Sequence, residues 1–145
     1  ECLIDLPVDA SIPASYISST PQRLDMYKTI ANIRSNEEAN DVYDELTDRF
    51  GVPPASVYGL VEIALLRNTA MKLGIYEIRQ AGINAKFFLN DVKPEYLIAL
   101  NEKMRGRAKL NSGKKTFISV ETIGGDTIGC VRDTLNLLSD SVKNE

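Results

Sequence analysis

The feature that constrains this chain most is a pair of predicted helices joined by a sharp corner, over residues 35–74. Ser35 and Glu38 have the spacing of a capping box, which predicts the start of the first helix at Ser35. Gly51 can adopt the left-handed conformation that ends a helix, and Pro53-Pro54 prevents its continuation. The corner therefore fixes the direction in which the first helix leaves the second.

The second of these helices is predicted from about Pro54 to Leu73, with Gly74 closing it. Apolar residues surround most of it, as in a buried central helix. They are Val57, Leu60, Val61, Ile63, Ala64, Leu65, Leu66 and Met71. The first helix is apolar along one side only, which predicts that it packs on the core and leaves its other side outside.

That other side is acidic. At about 100° per residue, four carboxylates fall within about 60° of one another. They are Glu37, Asp41, Asp44 and Asp48, with Glu38 and Glu45 at their flank. Glu45 and Asp48 lie near the helix C-terminus, where negative charge opposes the macrodipole, so helix stability does not explain them. Two interpretations remain open: a solvated face, or a docking face for a basic partner.

The remaining segments predict one α+β domain. Residues 1–19 form an extended arm or edge strand interrupted by Pro7, and a helix begins at Thr20-Pro21. After the helical half, 20–74, the period changes at Ile75 to strand alternation, with a hairpin turn at Gln80–Gly82. The 75–145 half then continues with a helix, a second strand pair and a last helix. The fold class is thus an extended arm, a three-helix half, and a small, mostly antiparallel sheet with two further helices.

Composition excludes several classes of function. The 145 residues carry a net charge of −3, which argues against a dedicated nucleic-acid binder, and contain no histidine, the commonest general base and metal ligand. Cys2 and Cys130 have no zinc-site spacing, so we expect free thiols in a reducing, cytoplasmic compartment. No apolar run is long enough to span a membrane. The chain opens within an apolar-alternating run without a signal peptide, which predicts a piece of a longer protein.

No motif for phosphate or dinucleotide binding is present. The Gly113-Lys114 pair has Ala108 where a phosphate-binding loop requires its first glycine. A small enzyme of unnamed substrate is therefore the weakest hypothesis. A basic segment offers an alternative, nucleic-acid contact, because six cations occur in 13 residues without an intervening acid. They are Lys103, Arg105, Arg107, Lys109, Lys114 and Lys115. A solvated hairpin that balances the acidic helix is the competing interpretation, since few aromatics are interleaved to stack bases.

Three blocks of sequence resemble a known family. The first is Asp5-Leu6-Pro7-Val8-Asp9-Ala10 with Ile12-Pro13 and Tyr16-Ile17, and the second is Arg23-Leu24 with Tyr27-Lys28 and Ile30-Ala31. The third and most specific is Glu45-Leu46-Thr47-Asp48-Arg49-Phe50-Gly51-Val52-Pro53-Pro54, followed by Leu60–Arg67 and Lys72–Ile75. Together they are similar to the C-terminal domain of bacterial transcription-repair coupling factors (Mfd). The likeness is strong over about 5–75, and only the order of elements continues beyond.

The resemblance implies a parent protein that is an ATP-driven DNA translocase, displaces stalled RNA polymerase and recruits the excision-repair protein UvrA. ATP and Mg²⁺ would belong to the parent's motor domains, with no cofactor and no catalysis in this fragment. It also implies that this domain packs on the N-terminal UvrA-binding module and holds the parent in a repressed state. Glu45 and Asp48 match family positions at that contact, with Asp41 and Asp44 expected beside them.

Overall fold

The structure, a computed structural model, describes residues 1–143, which form five α-helices and five β-strands. The helices are α1 (Thr20–Ala31), α2 (Asn36–Phe50), α3 (Ala55–Lys72), α4 (Pro94–Lys103) and α5 (Thr127–Ser141). The strands are β1 (Leu3–Asp5), β2 (Ile75–Ala81), β3 (Asn84–Leu89), β4 (Ala108–Asn111) and β5 (Phe117–Glu121). They form one sheet in the order β1-β2-β3-β5-β4. Only β1 and β2 are parallel, so the predicted α+β class with a mostly antiparallel sheet is confirmed.

The chain divides into two compact units. Residues Val8–Asn68 form a helical unit with α1, α2 and most of α3. Residues Glu1–Pro7 and the segment from Thr69 onward form a sheet unit. The sheet unit is therefore discontinuous in sequence, and the helical unit lies between its two segments along the chain.

The helical unit is built on α3, which is buried along most of its length as its apolar sequence predicts. Val57 and Val61 are fully buried and pack in one cluster with Leu46 of α2 and Ile30 of α1. Met71, expected to be inside, is exposed because it lies in the last turn of the helix. The N-terminal cap of α1 is Ser19, one residue before the predicted Thr20, and its hydroxyl accepts a hydrogen bond from the Gln22 amide.

The extended segment before α1 lies against α3 at Gly59. The Ser11 amide donates to the Ser56 carbonyl over 3.0 Å, and the Ile12 amide donates to the Tyr27 hydroxyl over 2.8 Å. A methyl group at Gly59 would overlap the backbone carbonyl oxygen of Asp9. The predicted arm is thus only briefly a strand, at β1, and its remainder crosses α3 as extended chain.

The sheet has a covered face and an open face. Alternation along the strands sends Ile78, Phe87 and Ile118 to one side, where all three are fully buried and where α5 contacts β3 and β5. The opposite side carries mostly polar residues. The β2–β3 turn is Gly82-Ile83, with φ of 61° at Gly82. Because Ile83 lies in this turn, it is exposed, although it alternates in sequence with the buried residues of β3.

Candidate functional site

The acidic face lies on α2, and the N-terminus of this helix is fixed by the predicted capping box. The Ser35 hydroxyl accepts a hydrogen bond from the Glu38 amide over 3.1 Å. The Glu38 carboxylate accepts one from the Arg34 amide over 2.6 Å. Two amides that would otherwise lack partners are therefore satisfied, which holds the first turn in place.

The C-terminus of α2 is fixed by a tyrosine from outside the helix. Gly51 ends the helix with φ of 88°, where a residue with a side chain would be strained. The Tyr16 hydroxyl donates to the carbonyl oxygens of Leu46, at 3.2 Å, and Gly51, at 2.8 Å. The Tyr16 ring packs edge-on against Phe50, with centroids 5.9 Å apart. The corner is therefore a rigid junction that sets the direction of α2.

The structure places the acidic face outside, as the helical spacing predicts. Ala39, Val42 and Leu46 are buried along the inner side of α2. The four central carboxylates, Glu37, Asp41, Asp44 and Asp48, are all exposed. Within residues 1–143, these four side chains make no hydrogen bond or ion pair. Their charge is consequently available to another molecule or to another part of a longer chain.

The two flanking carboxylates both have local roles, of which the sequence predicted that of Glu38. The Glu38 carboxylate accepts from the amide of Arg34, one residue before the Ser35 amide that a capping box uses. Glu45 forms an ion pair with Arg49 one turn later, with Nη1 and Oε2 2.8 Å apart, and the Arg49 guanidinium lies 4.8 Å from the Phe50 ring centroid. An acid four residues before a base stabilises a helix by a few tenths of a kcal/mol. Glu45 is therefore partly explained by helix stability, whereas Asp48 is not.

A shallow depression adjoins the acidic face where α1 meets α2. It has a volume of about 250 Å³ and is lined by Thr29, Asn32, Ile33, Glu38, Asp41 and Val42. Two carboxylates, one amide and one hydroxyl are present in this lining, and no cation is among them. The depression therefore has the polarity to receive the end of a lysine or arginine side chain.

An aromatic pair borders the other side of the acidic face. Tyr43 of α2 and Tyr58 of α3 have ring centroids 4.8 Å apart, and Tyr58 is exposed. Burial raises the pKa of the Tyr43 hydroxyl, and the nearby Glu62 and Tyr58 raise it further. Tyr43 thus stays neutral at physiological pH and adds apolar surface beside the charges.

The structure does not gather the predicted basic segment at one site. Lys103 and Arg105 lie at the end of α4 and in the loop after it, whereas Lys109 lies on β4. Arg107 is bound locally, because its Nε and Nη2 donate to the Glu121 carbonyl over 3.2 and 2.9 Å. Lys114 and Lys115 instead lie at a cleft with Arg79 of β2, a residue that the sequence argument left out. Strand alternation could have predicted that Arg79 is exposed. It could not have predicted which residues lie next to Arg79 in the fold.

No helix among residues 1–143 is both long and apolar enough to cross a membrane. In the same part of the chain, no group of three or more cysteine, aspartate or glutamate side chains has an arrangement that could hold a metal ion.

Comparison with known proteins places this fold in a family. The sequence profile of the TRCF domain matches residues 6–98, well over half of the chain. The chain belongs to the TRCF domain family. The predicted resemblance is thereby confirmed. The TRCF match includes all of the helical unit and extends through β2 and β3 into α4.

Curated relatives of this TRCF domain are named transcription-repair-coupling factors. The Escherichia coli protein is 32% identical over 111 residues, covering 74% of this chain and 10% of the relative. The Bacillus subtilis protein is 31% identical over 130 residues, covering 86% and 11%. The Mycobacterium bovis protein is 42% identical over 78 residues, covering 54% and 6%. The chain thus spans about a tenth or less of the length of these relatives.

A solved structure supports the fold independently. The crystal structure of the C-terminal domain of a transcription-repair coupling factor aligns with a TM-score of 0.82, over 99% of this chain and 96% of the other. At 19% sequence identity this agreement concerns the fold alone. The aligned region includes the second half of the chain, where the resemblance predicted from the sequence consisted only of the order of helices and strands.

Proposed function

We propose that this TRCF domain is a non-catalytic regulatory domain of a longer, cytoplasmic transcription-repair coupling factor. In this proposal, its acidic face packs on the N-terminal module of the same protein and covers the surface that binds UvrA. The parent protein is an ATP-dependent DNA translocase, with ATP and Mg²⁺ bound in motor domains outside this chain. Engagement of a stalled RNA polymerase on DNA releases the contact and opens the module to UvrA.

The observation that carries the proposal is the exposed, unpartnered charge of Asp41, Asp44 and Asp48 on a rigid helix. Asp48 lies in the last turn of α2, where it opposes the helix dipole, so its presence costs the isolated domain stability. Both ends of α2 are held by hydrogen bonds and a buried inner side. A partner with basic residues at matching spacing would therefore meet a preorganised surface.

The surroundings of the acidic face fit a protein partner. The depression lined by Glu38 and Asp41 can receive one basic side chain, and the Tyr43–Tyr58 pair provides an aromatic contact at the opposite border. Tyrosine is enriched among the residues that contribute most to protein interfaces. Glu45 would have to give up its ion pair with Arg49 to bind a cation of the partner, so its net contribution to the binding free energy would be small.

The expected strength suits a contact that must open. Exposed ion pairs contribute about 0–1 kcal/mol each, so three pairs supply up to about 3 kcal/mol. That energy changes the closed-to-open ratio by up to about 150-fold. A competing contact of similar energy elsewhere on the parent would then be sufficient to shift the equilibrium.

A charge-reversal experiment tests the proposal. The triple variant Asp41→Lys, Asp44→Lys, Asp48→Lys should weaken binding of this domain to the parent's N-terminal module by at least about 10-fold, because each reversal removes an attraction and adds a repulsion. The matched control reverses three exposed acids elsewhere: Asp25→Lys, Asp91→Lys and Glu102→Lys. Binding is measured by calorimetry or fluorescence anisotropy at low and moderate salt. Equal affinities for the two triple variants would refute the assigned face.

The same variants in the full-length parent test the regulatory part of the proposal. Reversal of the acidic face should increase UvrA capture in the absence of RNA polymerase, and the control triple should not. If the isolated domain loses binding while UvrA capture by the parent stays unchanged, the docking face stands and the masking role fails.

A further inference from the structure

The open face of the sheet carries an ordered array that has no part in the proposed docking. Strand register aligns its side chains in two rows that cross the sheet. One row contains Glu77, Phe88, Phe117 and Asn111, and the next contains Arg79, Lys86, Ser119 and Lys109. An aromatic row therefore lies beside a basic row, and both belong to the sheet unit.

The aromatic row is a packed pair of rings. Phe88 and Phe117 have centroids 5.0 Å apart, and Tyr76 lies 6.3 Å from Phe88. Phe117 is half-buried, whereas only 2% of Phe88 is exposed because its neighbours cover it. Phe117 is thus the ring of this pair that exposes apolar area on the open side of the sheet, where a flat apolar ligand could pack on it.

Cations cover these rings. The Arg79 guanidinium lies 5.0 Å and the Lys115 Nζ 5.9 Å from the Phe88 centroid, and the Lys86 Nζ lies 4.8 Å from the Phe117 centroid. Such contacts hold a cation in place without neutralising it. Among residues 1–143, the ion pair recorded for these cations is that of Arg79 Nε with Glu77, at 3.9 Å, close to the limit of such a contact. The positive charge at the rings is therefore only weakly compensated.

A cleft joins the two rows at the β4–β5 loop. Its volume is about 560 Å³, within the range of clefts that bind small ligands. It is lined by Arg79, Phe88, Asn111, Ser112, Gly113, Lys114, Lys115 and Phe117. Three cations, an amide, a hydroxyl and two rings thus converge, and no carboxylate is part of this lining. These groups match a phosphate next to an aromatic base.

We propose that the open sheet face binds single-stranded nucleic acid. A backbone phosphate occupies the cleft between Arg79, Lys114 and Lys115, and the strand continues along the basic row toward Lys109. A base displaces Lys86 from Phe117 and stacks on that ring, and the displaced lysine binds the adjacent phosphate. The row from Arg79 to Lys109 spans three strand spacings, about 14 Å, which suits a linear polyanion.

The same features disfavour two other occupants. An acidic peptide would satisfy the cations but leave the paired rings without a stacking partner. A duplex would present phosphates but keep its bases stacked inside, out of reach of Phe117, whereas a single strand offers its bases. Three acids share this face. Asp5 is in register with Arg79 on the edge strand β1, and Glu77 precedes Phe88 in the aromatic row, so both limit the binding track on the β1 side. Glu121 lies at the end of β5 opposite the cleft.

Fluorescence anisotropy with the whole chain tests the proposal, using labelled oligo(dT) and oligo(U) of about a dozen nucleotides. With about three phosphate contacts, the logarithmic salt slope is about −2, so raising salt from about 50 to about 200 mM weakens binding about 20-fold. The variant Lys86→Gln, Lys109→Gln, Lys115→Gln should lose most of this slope and bind at least about 10-fold more weakly. The control Lys72→Gln, Lys103→Gln, Arg105→Gln removes the same charge away from the face and should keep wild-type binding.

A second variant separates stacking from charge. Phe117→Leu should weaken binding about 10-fold and leave the salt slope unchanged, because a base loses its ring while the cations remain. Circular dichroism confirms that each variant is folded. Unlabelled duplex and polyglutamate should compete much more weakly than the single strand. The proposal is overturned by absence of binding at low salt, by equal loss in the control triple, or by equally effective competition from duplex or polyglutamate.

Discussion

For Gly59→Ala, the structure decides whether the free energy of unfolding rises or falls. In an ordinary helix interior, alanine is favoured over glycine by about 1 kcal/mol. At Gly59, however, the new methyl group would overlap the Asp9 carbonyl oxygen, which belongs to backbone and cannot rotate away. We therefore expect the substitution to destabilise the helical unit despite the gain in helix propensity.

The size of this loss of stability depends on how the extended segment at Asp9 must move. To admit the methyl group, the extended segment at Asp9 has to shift away from α3. This shift strains the nearby Ser11–Ser56 hydrogen bond of 3.0 Å and loosens packing at Val8. Overpacking costs about 1–3 kcal/mol and a strained hydrogen bond up to about 1 kcal/mol. After subtracting the propensity gain of about 1 kcal/mol, we expect a net loss of up to about 3 kcal/mol.

Urea unfolding followed by circular dichroism measures this loss. The control is Gly113→Ala, because Gly113 lies in open space and needs no positive φ, so its replacement should be neutral or stabilise by up to about 1 kcal/mol. Equal or greater stability of Gly59→Ala relative to the wild type would refute the close approach of the extended segment to α3.

Three further predictions concern single side chains. Tyr27→Phe should cost about 1–3 kcal/mol in urea unfolding, because the buried Ile12 amide loses its acceptor; an unchanged midpoint would contradict this bond. Leu46→Ala should cost about 2–5 kcal/mol in the same assay, since Leu46 is fully buried, and a loss below 1 kcal/mol would place it outside the core. Burial raises the pKa of the Cys130 thiol, more than Arg107 lowers it, so the folded state keeps a proton that the unfolded state releases. The free energy of unfolding should therefore fall as pH rises above about 8.5, and Cys130→Ala should lessen this fall in urea titrations; identical pH profiles would refute it.

Local sequence signals predicted the helical half well. The capping box at Ser35 and the glycine-proline corner act within a few residues, and both are present as expected. The acidic face followed from helical period alone. The error at Ser19 was also local: two hydroxyl residues precede Pro21, and proline is tolerated at either of the first two helical positions, so the sequence does not choose between them.

Long-range pairing could not be predicted in the same way. The parallel contact of β1 with β2 joins Leu3 to Glu77, and no local pattern encodes that register. The pairing of β3 with β5 similarly crosses α4 and β4, and it alone brings Phe88 beside Phe117. The basic segment was predicted from the spacing of its cations along the chain. Only strand register shows which cations share a face.

The family match covers every block of sequence that carried the resemblance. The blocks that carried the resemblance lie mostly in the helical unit, where capping and turn residues constrain sequence strongly. The TRCF match ends within α4, whereas the fold of the solved structure covers 99% of the chain at 19% identity. Apolar alternation is sufficient to specify strands, and many sequences satisfy it.

The parallel edge strand β1 imposes an order of assembly. During synthesis, residues 8–68 all precede the first residue of β2, so the helical unit can fold while β1 has no strand to join. A waiting strand of three residues, with Pro7 soon after it, is a poor template for pairing with other chains. Folding of the intervening unit also shortens the flexible loop that β1 must close, and each halving of that loop lowers the entropic cost by about 0.6 kcal/mol. The helical unit thus prepares the closure of the sheet that surrounds it in sequence.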